Sequence, residues 1–168
     1  MTRYHLAKLV SWAGTLKSRK RLQKVVFLLQ AGKCPFSADF FLHFYGPYSE
    51  DVARLADEMV RENLLVETSE GQAGYERYNY RLSDEASRQL SALEVSAQGE
   101  KMKAELTGFE AKARSFLAAD LKELEYAATI VYFQQQGNDW ETSVEKAAAF
   151  KKDESVKTVL GLAKQAVS

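Results

Sequence analysis

Apolar side chains recur at three- and four-residue intervals along most of this chain, and the intervals delimit its elements. Leu6, Leu9, Val10 and Ala13 share one helical face, which predicts a first helix from about Thr2 to Thr15. Ser18 suits the N-cap of a second helix, with Leu22, Val25, Val26 and Leu29 as its apolar face and Gly32 as its stop. Phe40 to Tyr45 is densely aromatic and predicts a short strand, which the Gly46-Pro47 turn breaks and redirects. Ser49 then caps a third helix, with Glu50 and Asp51 in its first turn and Val52, Leu55, Ala56, Met59 and Val60 as its stripe. Asn63 ends it, and Leu64 to Val66 predicts a strand. Ser69 to Gly74 predicts a hairpin loop. Beyond it, Tyr78, Tyr80 and Leu82 alternate with Arg77, Asn79 and Arg81 as a half-exposed strand does.

Helix, helix, short strand, helix, strand, hairpin and strand, in that order, is the pattern of a winged helix. The expected fold class is therefore mainly α (α+β). Residues 1–83 form a winged-helix domain with a β-hairpin wing, and a generic α+β domain is the alternative. From Ser83 onward the pattern is helical. Asp120 and Glu123 have capping-box spacing ahead of Leu124, Ala127, Ala128 and Val131, and Gly137 ends that helix. Asn138 and Glu141 repeat the spacing ahead of Val144, Ala147 and Ala148, and Asp153 starts a last helix with Val156, Val159, Leu160 and Ala163. Gln98-Gly99 is the one linker candidate. Residues 84–168 are expected to be a helical extension packed on the first domain as one compact unit. Their stripes are too regular to be left in water, so they cover the first domain or a second copy of the chain. A homodimer is favoured, because winged-helix proteins often pair through added helices.

Composition agrees with this picture. Of 168 residues, 46% are hydrophobic and only two are proline, so the chain can build a core and is biased toward helix. The single cysteine, Cys34, excludes an intramolecular disulfide and points to a reducing, cytoplasmic setting. The N-terminus lacks the charged-then-apolar pattern of a cleaved signal. The longest apolar run, Ala127 to Phe133, falls far short of the ~20 residues that span a bilayer, so no membrane partner is expected.

The net charge is zero but unevenly placed. Residues 1–38 carry Arg3, Lys8, Lys17, Arg19, Lys20, Arg21, Lys24 and Lys33 and no acid. Residues 49–86 carry ten acidic side chains against four basic ones. Lys17, Arg19, Lys20, Arg21 and Lys24 are candidate contacts for a polyanion or a partner protein, with a solvated helix face as the alternative. Arg54, Arg61, Tyr75, Arg77 and Tyr78 are candidate contacts of the third helix and wing. Tyr45, Tyr48 and Tyr80 belong to the same tyrosine-rich region, where strand packing competes with a binding surface.

Catalytic chemistry finds little footing. Cys34 with His5 or His43 is the one Cys/His option, and no signature surrounds it. Cys34 reads as a small buried residue and His43 as a packed core histidine. One Cys and two separated His do not supply a zinc set. Glu123 and Glu125 point apart on a helix, and no glycine-rich phosphate loop is present. No cofactor is expected, and the chain reads as non-enzymatic. DNA binding through the third helix is disfavoured by Glu50, Asp51, Asp57, Glu58 and Glu62 against Arg54 and Arg61, because phosphate neutralisation dominates affinity for DNA. The first expectation is a regulatory adaptor that binds a partner protein through the winged-helix surface. The second is a DNA-binding transcriptional regulator that uses the basic second helix.

Three blocks carry a family resemblance: Leu22-Gln23-Lys24-Val25-Val26-Phe27-Leu28-Leu29-Gln30, then Phe44-Tyr45-Gly46-Pro47-Tyr48-Ser49, then Leu124 to Tyr132. Together they resemble the YwgA-like winged-helix proteins of bacteria and archaea. More loosely, they are similar to the Panacea antitoxin domains, which share an LQK helix and a YGP turn. The resemblance implies a winged-helix fold and a regulatory or partner-neutralising role. It implies no catalytic residues.

Overall fold

The computed structural model describes residues 1–72 and 76–168. Tyr75 and the end of the expected hairpin loop, Ala73 and Gly74, lie outside the described residues. The chain is an α+β fold, mostly helical, with two small antiparallel sheets and a run of C-terminal helices.

Helix α1 spans Arg3–Ala13 and opens on a reciprocal cap, in which the Thr2 hydroxyl accepts from the His5 amide and His5 Nδ1 accepts from the Thr2 amide. A two-residue strand follows, β1 (Leu16–Lys17), which the hydrophobic pattern did not reveal. Helix α2 (Arg19–Ala31) begins at Ser18, whose hydroxyl accepts from the Arg21 amide while its own φ is +81°. After a loop come β2 (Phe41–His43) and β3 (Gly46–Tyr48), then α3 (Glu50–Arg61), capped by Ser49 as expected. Asn63 leaves the helix at a φ of +58°, and β4 (Leu65–Glu70) and β5 (Arg77–Leu82) form the hairpin.

The sheet runs β1-β5-β4, so β5 is central. That position explains a departure from the expected alternation. Asn79 does not face water but is 2% exposed, because its Oδ1 accepts from the Ser18 amide across the β1 pairing. The aromatic segment does not join this sheet. Phe41–His43 pairs back on Gly46–Tyr48 through the two-residue turn Phe44-Tyr45, so Gly46 and Pro47 start a strand rather than break one. Gly46 has a φ of +89°, the left-handed residue that such a tight hairpin takes directly after its turn. A Cβ there would sit 2.8 Å from Thr129 Oγ1.

The C-terminal helices are α4 (Asp84–Glu94), α5 (Ala97–Glu105), α6 (Glu110–Ala118), α7 (Leu121–Gln135) and α8 (Trp140–Lys151), then a 3-10 turn (Glu154–Val159) and α9 (Leu160–Val167). Gln98-Gly99 is no linker. It lies inside α5, where Gly99 packs so tightly that a Cβ would stand 1.8 Å from the Leu93 carbonyl oxygen at the end of α4. The N-cap of α8 is Asp139, not Asn138. Asn138 instead donates to the Phe133 carbonyl and accepts from Lys146. Asp153 caps the 3-10 turn, and α9 starts only at Leu160, which is half-buried rather than buried.

Helix α2 is the axis of the molecule. All eight residues from Leu22 to Leu29 are buried, not the single stripe that the spacing suggested, because α3, α6, α7, α9, β1, β3 and β5 all pack against it. The C-terminal stripes are thus covered within the chain: Leu124, Ala127 and Val131 are fully buried, and Val144 and Val159 nearly so. The burial that motivated a second copy is met within the chain, by α2 and by the C-terminal helices against one another. Among the described residues no helix is long and apolar enough to cross a membrane.

Candidate functional site

A helix surrounded on all sides must satisfy every polar side chain it buries, and α2 buries two in succession. Gln23 is 4% exposed and Lys24 2%. The Gln23 side chain behaves like a strand neighbour. Its Oε1 accepts from the Ser49 amide at 2.8 Å, and its Nε2 donates to the Ser49 carbonyl at 3.0 Å. Lys24 Nζ donates to the Pro47 carbonyl at 2.8 Å. Residues 47 and 49 are therefore bolted to α2 by adjacent side chains.

The other side of the aromatic hairpin is held by α7 and α8. Lys151 Nζ pairs with Glu125 at 2.5 Å and also donates to the Phe44 carbonyl at 3.2 Å. Both side chains of that pair are largely withdrawn from water, 6% and 17% exposed, so breaking it would strand a charge. Glycine at 46 lets the hairpin lie directly on Thr129 and the Glu125 carbonyl. The three sequence blocks that carry the family resemblance, in α2, in the hairpin and in α7, thus meet at one junction.

A hairpin so held exposes its tip. Phe44 is 75% exposed, Phe41 45% and Tyr45 42%. His43 is exposed too, which corrects its reading as a packed core histidine. It stands in the pairing position opposite Gly46, with its ring 5.7 Å from that of Tyr48 and 6.2 Å from that of Tyr45. Beneath the tip is a cleft of about 220 Å³ between α2 and α3, lined by Lys20, Lys24, His43, Tyr45, Tyr48 and Asp57 among others. Lys20 Nζ lies 3.4 Å from the centre of the Tyr45 ring.

The five basic candidates of the first half do not form one patch. Lys24 is buried, which corrects its assignment to an exposed cluster. Arg21 turns inward to the end of α6, donating to the carbonyls of Ala119 at 2.6 Å and Leu117 at 3.0 Å. Arg19 pairs with Glu67 at 2.8 Å, with Asp57 at 3.8 Å, and stacks over Tyr78. Lys17 and Lys20 remain exposed. Of the third-helix and wing candidates, Arg54 is tied to Asp51 at 2.7 Å, Arg61 and Arg77 are exposed, and Tyr78 donates to Glu76 at 2.6 Å. Sequence reasoning missed Phe41, Phe44, His43 and the clamp residue Gln23. The unbroken apolar run Val25 to Leu29 that follows Gln23 in the same helix was the available signal for the last.

Burial holds the Lys24 ammonium down to about 8, with Lys151 and Lys20 adding to the effect and Glu125 opposing it. Burial also pushes the Cys34 thiol up to about 12 and the Tyr4 and Tyr80 hydroxyls well above their ordinary range. The signs oppose. Above about pH 8 the unfolded chain keeps the Lys24 proton that the folded one loses, so stability rises with pH. From 9.0 the folded chain retains the Cys34 proton that the unfolded one loses, and from 10.0 the two tyrosines act likewise, so stability then levels and falls. Urea unfolding from pH 7 to 11 is expected to show maximal stability near pH 9. Lys24→Met should abolish the rise from 8 to 9, whose slope approaches ~1.4 kcal/mol per pH unit. Equal slopes in the two proteins would mean that Lys24 is not the group responsible.

No family model matches the chain. It is similar to the uncharacterized protein YwgA of Bacillus subtilis (strain 168), 30% identical over 128 residues that cover 76% of this chain and 72% of the relative. At that identity and coverage, the chain belongs to the YwgA family.

Proposed function

We propose that the protein is a non-enzymatic regulatory adaptor that binds a partner protein through the face made by α2, α3 and the aromatic hairpin. In this reading residues 1–83 are a winged-helix unit. The hairpin β4–β5 follows α3 directly, and β1 completes the sheet on the far side of β5, as a wing requires. The observation that carries the reading is the exposed tip Phe41, Phe44 and Tyr45 on a base fixed by Gln23, Lys24 and Lys151. Exposed aromatics on a mobile loop lose ordering entropy on binding. A pre-fixed tip loses little, and clustered aromatics are what interface centres use.

DNA regulation is the second reading, favoured by the exposed Lys17, Lys20 and Arg77. It ranks lower because α3 is acidic and its Arg54 is already paired. A photoreactive phenylalanine analogue at position 44 tests the first reading in the native cell. A discrete protein adduct is expected at 44 and not at exposed Lys101 on α5. No adduct at 44, together with duplex DNA binding that weakens steeply with salt and is lost in Lys17→Glu with Lys20→Glu, would overturn it.

A further inference from the structure

We infer that the partner is engaged through an extended acidic segment lying across the N-terminal end of α2, with one of its side chains seated in the cleft beneath the hairpin. This rests on the partner-binding reading above and specifies its chemistry. The cleft between α2 and α3 is continuous with a second, more open groove between α2 and β5, since Arg19, Lys20 and Tyr45 line both. The joint surface runs from α3 past the cation–ring pair of Lys20 and Tyr45 to the wing.

Charge selects the occupant. The joint surface is lined by Arg19, Lys20, Lys24 and Arg77 against Asp57 and Glu76, and Lys24 among these is buried on the Pro47 carbonyl. Arg19 is occupied by Glu67 and Asp57, whereas among the described residues Lys20 and Arg77 have no carboxylate partner. Two uncompensated cations therefore line the same groove, together with Tyr45 and Tyr78, and are open to anions.

Size and shape narrow it further. At about 220 Å³ the cleft is smaller than the ~300–1,000 Å³ of a typical small-molecule site, and it suits a single side chain. Its walls Tyr45, Tyr48 and Tyr80 favour an aromatic one, while the flanking cations meet neighbouring carboxylates. A nucleic-acid strand fits less well. It would carry phosphates past Asp57 on the wall helix α3, which repels them, and its affinity depends on neutralising several phosphates at once. An acidic peptide needs only the two uncompensated cations.

The test uses the full chain against a displayed library of random dodecapeptides, followed by solution binding of a selected peptide. Enriched peptides are expected to carry Asp or Glu on both sides of an aromatic residue. Their binding should weaken as salt rises, and fall at least about tenfold in Lys20→Glu with Arg77→Glu. Lys20→Arg with Arg77→Lys should retain binding, which separates charge from folding, as both residues are exposed. Failure to enrich acidic peptides, binding untouched by the charge reversal, or displacement of the peptide by lower concentrations of a single-stranded oligothymidylate would each overturn the inference. If the discrete adduct at position 44 persists in such a case, the adaptor reading stands and only the acidic-segment chemistry falls.

Discussion

Gln23→Leu is expected to destabilise the protein by about 2–6 kcal/mol, although leucine matches the apolar surroundings and keeps helix propensity. The reason lies in Ser49, not in Gln23 itself. The Ser49 amide and carbonyl both end on the Gln23 side chain, and Ser49 is fully buried. Leucine offers neither a donor nor an acceptor, so a buried N–H and a buried C=O are orphaned together, at about 1–3 kcal/mol each. The same residue caps α3, since the Ser49 hydroxyl accepts from the Val52 amide, so loosening Ser49 also frays the first turn of that helix. Chemical denaturation would measure the loss, and Gln23→Glu offers a control that can keep only the acceptor half. A Gln23→Leu protein with an unchanged denaturation midpoint would show that Ser49 finds other partners, and that Gln23 does not fix the hairpin to α2.

How far the fold could be read from the sequence depended on how each residue's role is encoded. Helix α3 was legible in full, because its cap, its acidic first turn and its apolar stripe are all local features. Helices α7 and α8 were legible for the same reason, apart from the choice between Asn138 and Asp139, whereas the Gly99 contact inside α5 and the 3-10 turn after Asp153 are set by tertiary packing. Strand β1 was invisible. Two residues carry no period, and Leu16-Lys17 becomes a strand only because Tyr80 and Asn79 of β5, more than 60 positions further along, pair with it. The hairpin misled because Phe44-Tyr45 is an unusual turn dipeptide. Gly-Pro looked like the turn, while the true signal was a glycine placed one step after it.

The site was half legible. Lys24 counted as part of a basic surface on charge alone, yet its neighbours Val25, Val26, Phe27, Leu28 and Leu29 leave no solvated face for it. A helix apolar all round is a buried helix, and polar residues within it must have partners. Applied to Gln23 and Lys24, that argument would have placed them inside. It would not have said that Pro47 and Ser49 are the partners, because that pairing is set by tertiary approach.

Deleting residues 138–168 is expected to abolish cooperative folding of the whole chain, not to release an intact N-terminal unit. The segment includes Val144, Val156 and Val159 and the small residues Ala147, Ala148, Ala163 and Ala166, all buried. The three valines alone contribute about 5–9 kcal/mol at ~1.5–3 kcal/mol each, against a total stability of about 5–15 kcal/mol for a protein of this kind. The loss falls on the axis of the fold, since α9 packs on α2 and on α7, and a Cβ at Gly32 would stand 2.2 Å from the Ala166 carbonyl oxygen. Two polar ties go as well. Glu125 loses its cation Lys151, and Tyr126, which donates to Asp153 at 2.6 Å, loses its acceptor. The freed face of α7 would then be an exposed strip of Ala127, Ala128 and Val131, a surface prone to association. Thermal unfolding followed by circular dichroism, with light scattering on the same sample, decides the matter. A sloping, non-cooperative trace with aggregates is the expected result. A soluble monomer that melts sharply at the temperature of the full chain would show that the C-terminal helices decorate the core without completing it, and that the aromatic hairpin is held from α2 alone.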